Sequence, residues 1–130
     1  MKPSDAIATQ SQMQQQKVCV VMPTYNNGGT LRDVVERVLA FCADVIVVND
    51  GCTDDSADIL ASMGDRITVV DYGRNRGKGY ALKQGFKKAR QMGFNYAMPT
   101  LASAHLILSS YQLQQNLPKV VRSAVLVHTK

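Results

Sequence analysis

Val45-Ile46-Val47-Val48-Asn49-Asp50-Gly51-Cys52-Thr53-Asp54-Asp55-Ser56 runs from four apolar residues directly into a polar turn. A short apolar run without alternation, bounded by turn residues, is the pattern of a strand covered on both faces. Thr53, Asp54 and Asp55 supply the capping chemistry of a helix start, so a helix is expected over roughly Asp54–Met63. The same strand, polar turn and helix order is written again on either side.

Upstream, Val18-Cys19-Val20-Val21-Met22 is a second buried-strand pattern, which Pro23 is expected to end before the loop Pro23–Gly29. Thr30 is expected to cap the next helix, with Asp33 as its capping-box partner. Leu31, Val34, Val35, Val38, Leu39 and Cys42 then recur at the spacing of one buried helical stripe. Downstream, Ile67-Thr68-Val69-Val70 predicts a third strand and Gly73–Gly79 a basic, glycine-rich loop. Leu82, Phe86 and Ala89 mark the apolar face of a third helix. Three such units predict an α/β fold built on a parallel, Rossmann-like sheet. Ligands of such sheets sit beyond the carboxyl ends of the strands, so the loops Pro23–Gly29, Asn49–Ser56 and Gly73–Gly79 are expected on one rim.

The flanks read differently. Residues 1–16 are polar and glutamine-rich, a frayed lead-in with no core to join. Past Gly93, Asn95-Tyr96-Ala97-Met98 opens a fourth strand that Pro99 is expected to interrupt. Residues 98–130 read as a divergent, irregular tail, with a helix over 101–117 and a terminal strand at Val120-Val121 or Val125-Leu126-Val127.

Composition narrows the function. The chain has 130 residues, 45% hydrophobic, enough for one buried core or part of one. No apolar run approaches the ~20 residues of a membrane-spanning helix. Cys19, Cys42 and Cys52 lack metal or redox spacing and suit a reduced, cytoplasmic setting. His105 and His128 have no partner at metal-ligand spacing. With 6% aromatic residues and no Trp, a stacking platform for single-stranded nucleic acid is disfavoured. Residues 1–71 hold ten acidic against five basic residues, a net charge of −5, whereas residues 72–130 hold ten basic residues and no Asp or Glu, +10. Such asymmetry admits a nucleic acid or the anionic inner face of a membrane as partner; the plainer reading is a solvated basic helix face.

Each loop has candidate binding groups. Pro23, Thr24, Tyr25 and Asn26 combine an open backbone, a ring and an amide, which suits a flat polar base, although they also make an ordinary strand-ending turn. Capping explains Thr53, Asp54 and Asp55 but does not require Asp50. A carboxylate there can accept from a base imide or from ribose, with Gly51 permitting close approach. Arg74, Asn75, Arg76, Gly77 and Lys78 put cations and backbone amides at a helix start, which suits a diphosphate. The spacing fits neither a nucleoside-triphosphatase phosphate loop nor a dinucleotide fingerprint, because no Ser or Thr follows Lys78 and Leu82 stands where a third glycine belongs.

Together, Val20–Asn26, Val47–Asp54 and Asn75–Gly79 resemble the front end of a family 2 glycosyltransferase with the GT-A fold, over about residues 17–97. The closest branch by wording is the one similar to dolichyl-phosphate-mannose synthase, whose acceptors are often lipid-linked. The resemblance implies a nucleotide-sugar-binding half-domain for UDP- or GDP-sugars. Pro23, Tyr25 and Asn26 would line the base pocket, Asp50 would hydrogen-bond base or ribose, and Arg76 and Lys78 would lie near the base and diphosphate, with Asn49, Asn75 and Gly77 beside them. The acceptor would be a saccharide or a lipid-linked group. The family pattern has Asp where Asn49 stands and Ser where Cys52 stands.

The resemblance also implies Mg or Mn held by an Asp-x-Asp motif, but the corresponding stretch here is Ala97-Met98-Pro99-Thr100-Leu101-Ala102-Ser103-Ala104-His105. No carboxylate follows Asp71 to hold a metal or act as general base, so no catalytic and no metal residue is assigned. The chain thus reads as a truncated or frame-shifted product, inactive as written and prone to self-association through an exposed sheet edge. The alternatives are a nucleotide-binding module without turnover, or a basic nucleic-acid or membrane binder.

Overall fold

The computed structural model describes residues 3–100 and 125–127. The order is α1 (Pro3–Gln15), β1 (Val18–Thr24), α2 (Gly28–Leu39), β2 (Val45–Asn49), α3 (Ser56–Ser62), a 3-10 turn (Gly64–Arg66), β3 (Thr68–Asp71), α4 (Lys78–Gln91), β4 (Tyr96–Pro99) and β5 (Val125–Leu126). The sheet order is β3-β2-β1-β4-β5. The first four strands are parallel, and β5 runs antiparallel to β4. The expected parallel sheet is therefore present, with β1 and β2 at its centre and fully buried along their length.

Strand alternation sorts the apolar residues into two cores. Val18, Val20, Met22, Val45 and Val47 face α2, where Leu31, Val34, Val35 and Val38 form the expected buried stripe. Cys19, Val21, Ile46 and Val48 face the other way, toward α4. The buried line of α4 is Ala81, Gly85 and Ala89; Ala89 is buried as expected, while Leu82 and Phe86 pack at the side of that line, half-buried. A Cβ on Gly85 would collide with Val21, so small residues let this helix lie close on the sheet.

Both prolines expected to end strands lie inside them. Pro23 pairs with Val48 and Pro99 with Val21. In a parallel pair a residue's N–H and C=O point to the same side. Val21 accepts from Thr100 N, so Val21 and Pro23 face β4, whose pairing with β1 stops at Val21. Pro99 faces away from β1, past the pairs that join β4 to β5. Each missing N–H thus falls where no ladder bond is due.

The N-terminal segment also departs from expectation: residues 3–15 are helical and do join the core. Met13 is buried beside Val18 and Val20, and Gln10 Nε2 donates to Leu39 O at 3.2 Å. Lys17, at φ 56°, turns the chain into β1. The helix expected over 101–117 and the strand expected at Val120-Val121 lie outside the described residues; Val125-Leu126 does form the terminal strand. At the other end of the sheet β3 is an edge strand whose Val69 is exposed.

Candidate functional site

β1, β2 and β3 end side by side, Thr24 opposite Asn49 and Asn49 opposite Asp71, so the three loops that follow share one rim as expected. The loops are tied to one another through the second. Asn26, in the left-handed region at φ 52°, turns its Oδ1 to accept from Thr53 N at 2.8 Å and Asp54 N at 3.3 Å. Asp54 reaches the other way, accepting from Gly28 N at 3.0 Å and Ser56 N at 2.9 Å. One carboxylate thereby serves the first turns of both α2 and α3, where anionic groups complement the helix dipole. The expected cap Thr30 lies inside α2 and bonds back to Asn27 O instead. Cys52 Sγ lies between Thr24 O at 3.4 Å and Asn26 N at 3.3 Å.

The second and third loops meet at Asp50, which is only 4% exposed. Its Oδ1 accepts from Tyr72 Oη at 2.6 Å and Arg76 N at 2.8 Å; its Oδ2 accepts from Asn75 Nδ2 at 3.1 Å and Gly77 N at 3.1 Å. Asn75 Nδ2 also reaches Asp50 O at 3.2 Å. A carboxylate has about four lone-pair sites, and here four donors fill them. Charge-assisted bonds of this kind are roughly twice as strong as neutral ones. Burial, and after it the bond to Asp50, pushes the Tyr72 hydroxyl well above the ordinary tyrosine range, so it stays a donor. Gly51 does permit a close approach, but of the third loop: at φ 71°, a Cβ there would strike the Arg74–Asn75 backbone. Asn49, buried at 4%, accepts from Cys52 N at 2.9 Å and donates to Asp71 Oδ2 at 3.4 Å; Asp71 Oδ1 in turn accepts from Gly73 N at 2.9 Å.

The expected residues are therefore all at one rim, but their tasks divide. Pro23 and Thr24 are buried in β1; Asn26, Asn49, Asp50, Asn75 and the Gly77 N–H bind the loops together. Asp50 accepts from the Asn75 amide and from the Arg76 and Gly77 N–H groups of the third loop. Tyr25, Arg76 and Lys78 remain exposed. Two tyrosines that the sequence reading passed over complete the site. Tyr72 and Tyr80 meet edge to face with centroids 4.9 Å apart, and the Arg76 guanidinium lies 4.5 Å from the Tyr80 ring centroid. The available signal was position: Tyr72 directly follows β3, and Tyr80 stands in the first turn of α4.

A divalent cation does not fit these residues. Of the carboxylates at the rim, Asp50, Asp54 and Asp71 are engaged by N–H donors, Asp55 stands alone at the start of α3 among the described residues, and no Asp or Glu occurs after Asp71. Among the described residues no three His, Cys, Asp or Glu side chains gather at metal-binding range. Cys19 and Cys42 are buried, with thiols pushed up to about 12 chiefly by burial, and belong to the packing. No helix among the described residues is long and apolar enough to cross a membrane.

The chain has relatives among known proteins. It is 34% identical over 82 residues to an uncharacterized glycosyltransferase of Rickettsia prowazekii (strain Madrid E), covering 61% of this chain and 26% of that protein. It is 31% identical over 86 residues to the poly-beta-1,6-N-acetyl-D-glucosamine synthase of Staphylococcus aureus (strain MSSA476), covering 62% and 20%. The chain thus spans about a quarter or less of the length of these relatives. Among solved structures, the fold matches S. aureus TarS 1-349 in complex with UDP-GlcNAc, with TM-score 0.64, 18% identity and coverage of 78% of this chain and 30% of that one. It also matches glucosyl-3-phosphoglycerate synthase from Mycobacterium tuberculosis in complex with Mn2+, UDP and glucosyl-3-phosphoglycerate, with TM-score 0.64, 17% identity and coverage of 89% and 43%. The fold is accordingly that of part of a GT-A glycosyltransferase domain. The sequence model of glycosyl transferase family 2 matches residues 19–94, from the second residue of β1 to just before β4, and the chain belongs to that family.

Proposed function

We propose that this chain binds the nucleotide diphosphate of a UDP- or GDP-sugar at the loop rim, within a glycosyltransferase framework that delivers the sugar to a saccharide or lipid-linked acceptor. The observation that carries the reading is the junction at Asp50: it fixes the cationic third loop at the rim, where Arg76, Lys78 and Tyr25 are exposed. A guanidinium and an ammonium suit phosphate oxygens, and an exposed ring suits the face of a base. UDP or UDP-GlcNAc in structures of the same fold supports this choice of ligand.

In this chain the phosphate charge meets Arg76 and Lys78 without carboxylates to hold a metal, and residues 72–130 offer no Asp or Glu as a general base. What these residues support is nucleotide binding that needs no metal. Calorimetry with UDP, GDP and UDP-GlcNAc, each in EDTA and in Mn2+, tests it. The expected result is nucleotide binding that Mn2+ changes by about twofold or less, with no sugar transferred. Absence of binding, or binding only with Mn2+, contradicts the proposal.

A second property has its own observation. Lys83, Lys87 and Arg90 form an exposed stripe along α4, a helix with no acidic residue. This supports peripheral attachment to an anionic membrane face, checked by salt-sensitive sedimentation with acidic but not neutral vesicles.

A further inference from the structure

Four residues at the rim form a closed circuit of contacts. Asp50 Oδ1 accepts from the Tyr72 hydroxyl at 2.6 Å. The Tyr72 ring meets the Tyr80 ring edge to face, at 88° and 4.9 Å. The Tyr80 ring carries the Arg76 guanidinium at 4.5 Å. Arg76 N returns to Asp50 Oδ1 at 2.8 Å. The backbone of Arg76 is therefore held by the same carboxylate that, through two aromatic rings, holds its side chain.

This arrangement matters because a free arginine side chain carries about 2 kcal/mol of rotamer entropy that any ligand must overcome. A ring under the guanidinium restricts it before binding. A guanidinium has five N–H donors, and one held against a ring can still offer a pair of them to two phosphate oxygens at once. Resting on the nucleotide-diphosphate reading above, we propose that Tyr72 and Tyr80 are positioning residues that hold the Arg76 guanidinium ready for the donor's phosphates. Neither tyrosine needs to touch the nucleotide for this role.

The test compares UDP with uridine, which differ by the phosphates alone, using the full chain. Tyr80→Leu removes the ring; it should weaken UDP binding by roughly three- to tenfold and leave uridine within about twofold. Tyr80→Phe keeps the ring and should restore UDP affinity. Tyr80→Leu combined with Arg76→Gln should bind UDP no more weakly than Arg76→Gln alone, since both act through one group. In the free protein, Tyr72→Phe should raise amide hydrogen exchange at Arg76 and Gly77 while leaving β1 and β2 protected. Equal losses for UDP and uridine in Tyr80→Leu, multiplying losses in the double variant, or unchanged exchange in Tyr72→Phe would overturn the proposal. If the unaltered chain binds neither UDP nor uridine, the nucleotide reading itself fails along with it. Binding of both with no selective loss in Tyr80→Leu defeats only the positioning role.

Discussion

The two seams that join the loops differ in burial. The first loop is fastened to the second by exposed groups, the Asn26 amide on the backbone of Thr53 and Asp54 and the Asp54 carboxylate on Gly28 N. The third loop is fastened to the second by a charged, buried carboxylate, Asp50, that accepts four hydrogen bonds. A hydrogen bond exposed to water contributes little because water replaces it readily. A buried anion surrounded by donors is costly to disturb, since every donor is then left unpaired. The third loop, which carries the cations, is therefore the more firmly placed of the two, and the first loop is the one free to adjust.

The largest effect expected from this contrast is at Asp50. Asp50→Asn places an amide N–H against existing donors and should cost about 2–4 kcal/mol in urea unfolding. A loss below ~1 kcal/mol would erase the distinction between the seams. Next comes Asn49→Asp, which restores the family wording but sets two carboxylates together where Asn49 Nδ2 now lies 3.4 Å from Asp71 Oδ2. It should cost about 1–2 kcal/mol at pH 7. Their repulsion raises a carboxyl pKa in the folded state, so the deficit should shrink on acidification and grow as pH rises. Asn26→Gly keeps the left-handed backbone and removes only the exposed amide; about 1 kcal/mol or less is expected.

The smallest effect concerns Tyr72, whose pKa in the folded chain lies above its ordinary value of 10.0 because of burial and of Asp50. A raised folded pKa means stability present below the unfolded pKa and lost as pH climbs above it. The stability gap between the wild-type chain and Tyr72→Phe should hold up to pH 10 and narrow beyond it, as pH-dependent unfolding can show.

Much of this was legible in the residues. The runs Val18–Met22 and Val45–Val48 are apolar on both faces, which only a covered parallel strand tolerates, so the sheet and its loop rim followed directly. What the residues hid was mostly decided by neighbours distant in sequence. Whether Asp50 faces a ligand or its own third loop depends on where Asn75–Gly77 fold, and no local pattern reports that. Pro23 and Pro99 look like strand endings until the side of the ladder each faces is known. Met13, one apolar residue in a glutamine-rich stretch, gives too weak a periodicity to announce a docked helix. Tyr72 and Tyr80 gain meaning only once the turn between them brings their rings together.

Amide chemical-shift mapping of the isotope-labelled chain during a UDP titration is the most direct check that the rim is where nucleotide lodges. Shifts should concentrate at Tyr25–Asn26, Asn49–Cys52 and Gly73–Tyr80 and should saturate together. No shifts there, or shifts gathered instead at the opposite end of the sheet, in the groove lined by Asp44, Asp65, Arg66 and Phe94, would contradict it.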